Sequence, residues 1–169
     1  MQYKVGDKVV YPNHGVALIE EVSKISVDEH AAKCYRLRVA ANKTIVMVPT
    51  NKTDDVGMRR VIDEKEAKRL MRQLRAPDVS TGRDWKERFQ ENAARMQTGS
   101  IRDVADVMKS LTVLQQQKDL SDREKRMLEK ARYLLVSEMA AAEDLGDEKV
   151  EDKIDKALGT LIKKLATDH

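Results

Sequence analysis

Val9-Val10-Tyr11-Pro12-Asn13-His14-Gly15-Val16-Ala17-Leu18-Ile19 decides how the front of this 169-residue chain folds. Two short apolar runs flank a Pro-Asn-His-Gly cluster, and the glycine supplies the positive φ that a tight reversal needs. Working outward, Val22 to Val27 alternates, Asp28-Glu29-His30-Ala31-Ala32 reads as a loop, and Cys34 to Val39 alternates again. Thr44-Ile45-Val46-Met47-Val48-Pro49 closes the set. Short strands at close spacing with turn signals between them predict a small, strongly bent antiparallel sheet or barrel. Such a module has edges, and Ser23 to Val27 and Thr44 to Val48 are the candidates to accept a partner strand. The alternative is that both pair internally.

From Asp63 the apolar period becomes helical. Asp63 to Arg75 places Ala67, Leu70, Met71 and Leu74 on one face, and Arg75-Ala76-Pro77 ends it because the residue before proline leaves the α region. Pro77 to Gly82 is a polar linker. Four further helices are expected. The first runs from about Asp84 to Gln97 and stops at Gly99. The second is capped by Ser100, with Asp103 in a box-like position, and carries Ile101, Val104, Met108 and Leu111. The third is capped by the Ser121-Asp122-Arg123-Glu124 box, with Leu128, Ala131, Leu135 and Met139 inward. The fourth follows Gly146-Asp147 and buries Val150, Ile154, Ala157, Leu158, Leu161 and Leu165. The fold class is therefore α+β: a β domain over 1–60, a helix and linker over 61–82, and a compact all-α domain over 83–169.

Composition narrows the function. The chain is 41% hydrophobic and 36% charged, with a formal net charge of +3. That total is too small to argue for nucleic acid, but its distribution is uneven. Residues 1–60 carry ten Lys/Arg against seven Asp/Glu, 61–82 five against four, 83–132 twelve against nine, and 133–169 five against nine. Any polyanion site belongs upstream of Tyr133. One cysteine, Cys34, permits no internal disulfide and suits a reducing cytosol. Met1 to Asp7 has no apolar stretch of the signal-peptide kind, and no run approaches the roughly 20 apolar residues that span a bilayer, so a cytoplasmic, soluble protein is expected.

Catalysis finds little support. His14, His30 and His169 are scattered, no ligand set has metal spacing, and neither a Walker A loop nor G-x-G-x-x-G occurs. No enzyme activity, metal or cofactor is expected. Trp85 is different. It is the sole tryptophan, set in Arg83-Asp84-Trp85-Lys86-Glu87-Arg88-Phe89. An indole among cations suits nucleic acid, where charge meets phosphate and the ring meets a base or groove wall. A half-buried core tryptophan among solvated charges explains the same residues. On the third helix, Arg123, Arg126 and Lys130 share one face, with Lys125 and Arg132 in a second row, at spacings of about 5–10 Å that match successive phosphates. Asp122–Arg126 and Lys125–Glu129 pairing is the plainer explanation.

Several motifs in order resemble the CarD/CdnL family of bacterial transcription regulators. Lys4 to Val16 is similar to its V-G-D-x-V-V-Y-P-x-H-G opening. Val48-Pro49, Val56-Gly57-Met58-Arg59, Leu74-Arg75-Ala76-Pro77, Trp85 to Phe89, Leu120 to Leu128 and Ala131-Arg132 follow, so the likeness runs from about residue 2 to 145. The front part alone also looks like the polymerase-binding module of the transcription-repair coupling factor. The resemblance implies a Tudor-like β domain that binds the β subunit of bacterial RNA polymerase, and a helical domain that reaches promoter DNA near the −10 element. It implies that Trp85 wedges into the minor groove at the upstream edge of the bubble. Arg83, Lys86, Arg88, Arg123, Lys125, Arg126, Lys130 and Arg132 would then contact DNA without reading sequence. Lys24, Ile25, Val27, Val46, Met47 and Pro49 would form the polymerase contact. The expected protein is a monomer, nucleoid-associated through polymerase, that stabilises the open complex. Two departures stand out: Glu87 and Gln90 replace common basic residues, and Ile25 and Met47 stand where some relatives place arginine. The rival reading is a polymerase-docked protein–protein adaptor that makes no DNA contact. A methyl-lysine reader is disfavoured, because Tyr3, Tyr11 and Tyr35 make too few rings for an aromatic cage.

Overall fold

The computed structural model describes residues 2–27, 29–79 and 84–167, leaving the side chains of Val27 and His30 aside. The chain divides into two units, Met1–Val61 and Ile62–His169.

The first unit is a five-stranded antiparallel sheet: β1 (Lys8–Tyr11), β2 (Gly15–Val27), β3 (His30–Val39), β4 (Ile45–Pro49) and β5 (Arg59–Arg60), in the order β4-β3-β2-β1-β5. The β1–β2 reversal uses Asn13 at φ 68° and Gly15 at φ 85°, and His14 N–H donates to the Tyr11 carbonyl at 2.9 Å. The expected break after Ile19 is instead a register shift between Ile19 and Glu21, so β2 is one 13-residue strand. An extra residue there bends the strand and steepens its twist, which is how a small sheet wraps over its own core. His30 to Ala32, expected in a loop, belong to β3: Val27 pairs with His30, and Glu29 at φ 68° makes the turn tight. β5 was not anticipated; two arginines give no apolar pattern, yet they pair with Val9 and Val10.

Alternation sets the core of this unit. Val9, Ala17, Ile19, Tyr35, Leu37, Val39 and Val48 point inward and join Tyr3 and Met58. Tyr3 Oη donates to the Met58 carbonyl (3.3 Å), Tyr35 Oη accepts from Tyr3 N–H (3.0 Å), and the two rings meet edge to face at 5.8 Å. Hydroxyls that would cost energy if buried alone are thereby satisfied.

Among its described residues the second unit holds five helices: α1 (Glu64–Arg75), α2 (Trp85–Gln97), α3 (Ile101–Gln117), α4 (Asp122–Glu143) and α5 (Asp147–Thr167). α1 starts at Asp63, whose carboxylate accepts from Glu66 N–H (2.8 Å). It is no mere connector. Ala67, Leu70, Met71 and Leu74 are part of the helical core, and α1 packs on α5 and α3, so the segment expected as helix and linker contributes its helix to the all-α unit. α3 is the central helix, with Val104, Ala105, Val107, Met108, Leu111 and Leu114 all buried. Truncating one such leucine to alanine removes about 2–5 kcal/mol. The α4 cap is the expected box: Ser121 Oγ accepts from Glu124 N–H, and the Glu124 carboxylate accepts from Ser121 N–H. The Ser100 box is not formed. Thr98 takes its place, donating its hydroxyl to Asp103 (2.7 Å) and accepting from Ser100 N–H (3.1 Å). Gly99 at φ 79° lets the chain turn between α2 and α3 where a β-carbon would be strained.

Candidate nucleic-acid interface

Trp85 is the first residue of α2. Its N-cap is Asp84, and the residue is 47% exposed. Trp85 is thus not enclosed by the neighbouring helices. Lys86, Glu87 and Gln90 are exposed around it. Arg88 is not. It lies 6% exposed, with Nε donating to Glu124 Oε2 at 3.2 Å, and the side chains of the pair are 7% and 5% exposed. A guanidinium held inside that way does not meet a phosphate on the surface, so the contact expected of Arg88 is replaced by an internal ion pair. Beside it, Arg123 lies over the Phe89 ring, 5.8 Å from the centroid. Two adjacent contacts therefore clip the first turns of α2 to the first turn of α4.

The α4 cations separate into two kinds. Arg123, Lys125, Arg126 and Lys130 are exposed. Among the described residues, neither Asp122–Arg126 nor Lys125–Glu129 is closed as an ion pair, so Lys125, Arg126 and Lys130 keep their charge for solvent or a polyanion. Arg132, partly exposed, pairs across to α5 with Asp155 (2.9 Å) and Glu151 (3.7 Å), whose side chains are themselves exposed, so paired acid lies beside it that is absent beside the other α4 cations. Arg83 lies outside the described residues.

In the β unit the polymerase candidates fall on two faces. Register places Met47 opposite Arg36 and Pro49 opposite Cys34, with Ile25 opposite Ala32, all on the side away from the core. Met47 is 39% exposed. Val46 faces the other way and packs against the core, so only its backbone is offered along β4. Lys24, exposed, is opposite Lys33 and on the face opposite Ile25; Val27 is placed only by its pairing with His30. β4 is an outer strand of the sheet. Ser23 to Val27 is likewise paired on one side only: β3 runs along it, while β1 covers Gly15 to Leu18, so among the described residues this end of β2 also presents an open edge. The outer face also holds residues the sequence did not single out: exposed Leu18, and Arg36 and Arg38 on Glu20. The hydrogen bond from Arg38, with the charges of Arg38 and Arg36 beside it, holds the Glu20 carboxyl below the usual carboxylate range. The alternation of Tyr35, Leu37 and Val39 inward was the signal that would have turned Arg36 and Arg38 outward.

Residues 3–62 match the model of the CarD-like/TRCF RID domain, and residues 69–155 match that of the CarD C-terminal domain. The chain belongs to the CarD-like family. It is 28% identical over 149 residues to the "Putative transcription factor YdeB" of Bacillus subtilis (strain 168), a stretch covering 88% of this chain and 97% of that relative. A CarD-like member is a regulator of transcription, and its front domain is of the kind that interacts with RNA polymerase. The family is generally non-enzymatic. Among the described residues no group of His, Cys, Asp and Glu has the makings of a metal site, and no helix is long and apolar enough to cross a membrane.

Proposed function

We propose that this CarD-like protein docks on the polymerase β subunit through β4 and the outer sheet face, and steadies the open promoter by setting Trp85 against the upstream edge of the bubble. The half-exposed Trp85 at the start of α2 carries the reading. Lys86, Arg123, Lys125, Arg126 and Lys130 supply phosphate contacts. No base code is needed, because a wedge acts on shape and on unstacked steps.

Magnitudes favour a tethered mechanism. The balance over residues 83–132, twelve Lys/Arg against nine Asp/Glu, is too slight for strong autonomous DNA binding. Docking on polymerase raises the local concentration to about the millimolar range, which a weak DNA contact needs. Re-stacking the duplex recovers a few kcal/mol per step. An indole that withholds only about 1.4 kcal/mol of it lengthens the open state roughly tenfold.

Trp85→Ala tests this. It is expected to shorten open-complex lifetime in a competitor challenge while leaving polymerase binding intact, and equal lifetimes for variant and parent refute the wedge. The adaptor reading draws on Glu87 and Gln90, both exposed beside Trp85, which weaken phosphate contact and suit a protein partner. Trp85 emission separates the two: polymerase with forked promoter DNA shifts it if the ring meets DNA, and leaves it unchanged if the helical unit meets only protein.

A further inference from the structure

We infer that buried Arg88 and buried Lys109 are positioning residues for Trp85, pinning the chain on both sides of the ring so that the indole is presented rigidly; this rests on the wedge reading above. On the downstream side, Arg88 lies one turn after Trp85 and bonds to Glu124. Glu124 is itself fixed by the α4 capping box, since its Oε1 accepts from Ser121 N–H (3.4 Å) and Ser121 Oγ (3.2 Å). The start of α2 is therefore tied to the start of α4 through a carboxylate that has little freedom of its own. Asn92, one turn further on and 3% exposed, shows that this side of α2 stays closed to solvent.

On the upstream side, Lys109 of α3 is 2% exposed, and its ammonium donates to the Asp78 carbonyl at 3.2 Å. Val79 packs against the helical core beside it. A lysine is almost never buried without a partner. Here the partner is a backbone carbonyl of the segment that leads into Trp85. The bond holds Asp78, seven positions before Trp85, against α3. An exposed ring on an unpinned helix end samples rotamers and fraying backbone in picoseconds to nanoseconds. A wedge must instead hold one orientation while DNA tries to close. Anchors at Asp78 and Arg88 thus lie on either side of Trp85 in the chain, and the residue itself stays exposed.

Because Trp85 is the sole tryptophan, time-resolved emission anisotropy of the full chain reads its motion directly. The parent is compared with Arg88→Met, Arg88→Lys and Lys109→Met, with open-complex lifetime measured on each. In Arg88→Met and Lys109→Met the sub-nanosecond loss of anisotropy is expected to grow about twofold while overall tumbling is unchanged. Arg88→Lys, which keeps a donor for Glu124, is expected to recover most of the difference. A merely structural ion pair lowers the melting temperature without altering ring motion, so a folded Arg88→Met with the parent's anisotropy decay overturns the proposal. If Arg88→Met does not fold, Glu124→Gln, which keeps an oxygen for the α4 cap, carries the same measurement with the same two outcomes. Looser ring motion with an unchanged open-complex lifetime refutes the DNA wedge and leaves the positioning role standing. Unchanged ring motion, with Trp85→Ala still short-lived on promoters, refutes the positioning role alone.

Discussion

The Arg88–Glu124 pair makes the most direct test of how the helical unit is held. The partners are 3.2 Å apart and almost wholly enclosed. At an effective dielectric of about 20, their attraction is about 5 kcal/mol, most of it offset by the cost of taking both charges from water. The net value of the pair is therefore small, but the cost of breaking it is not. Arg88→Met leaves a buried carboxylate and Glu124→Gln leaves a buried guanidinium, and each is expected to cost about 3–5 kcal/mol. The double variant strands neither charge, and its amide oxygen still accepts from Ser121, so it is expected to be more stable than the sum of the single losses by about 2–3 kcal/mol. Urea denaturation followed by circular dichroism, with all four proteins at one pH, measures the cycle. Coupling below about 0.5 kcal/mol means the two side chains do not interact as the geometry indicates, and Arg88 returns to being a surface cation.

Burial, opposed by the nearby charges of Asp106 and Asp78, pushes the Lys109 ammonium below the usual lysine range. Between that lowered value and about 10.4 the unfolded chain binds more protons than the folded one, so this group's contribution to stability rises with pH across the window. The parent is expected to gain on Lys109→Met as urea titrations are stepped from neutral to about pH 10; a flat or falling difference counts against the burial. In the β unit, Met47 is exposed on the outer face, so Met47→Glu is expected to weaken binding to the polymerase β lobe about tenfold, or about 1.4 kcal/mol, with the melting temperature unchanged. Parental affinity in a pull-down or titration removes Met47 from the docking surface.

The Ser121–Glu124 cap, the Asp63–Arg75 helix with its buried Ala67, Leu70, Met71 and Leu74, and the reversal at Asn13 and Gly15 were legible in the sequence because each depends on residues a few positions apart. The same local reasoning went astray where a neighbour competed. Asp103 has the spacing to cap with Ser100, but the Thr98 hydroxyl reaches it at 2.7 Å instead. Likewise the 28–32 stretch looked polar enough for a loop, and cross-strand pairing of Val27 with His30 drew most of it into β3.

By itself the sequence determined the two-part α+β plan and the set of cations from which a DNA surface is drawn, since apolar period and charge are written along the chain. Only the tertiary structure decided which of those cations are free. Arg88 and Arg132 read the same as Arg123 and Arg126, yet the first turns inward to Glu124, 36 positions away, and the second turns to Asp155 on α5. No local pattern marks a pairing partner that distant; helix packing brings the two together, and burial then gives one guanidinium a structural task and leaves the next in water.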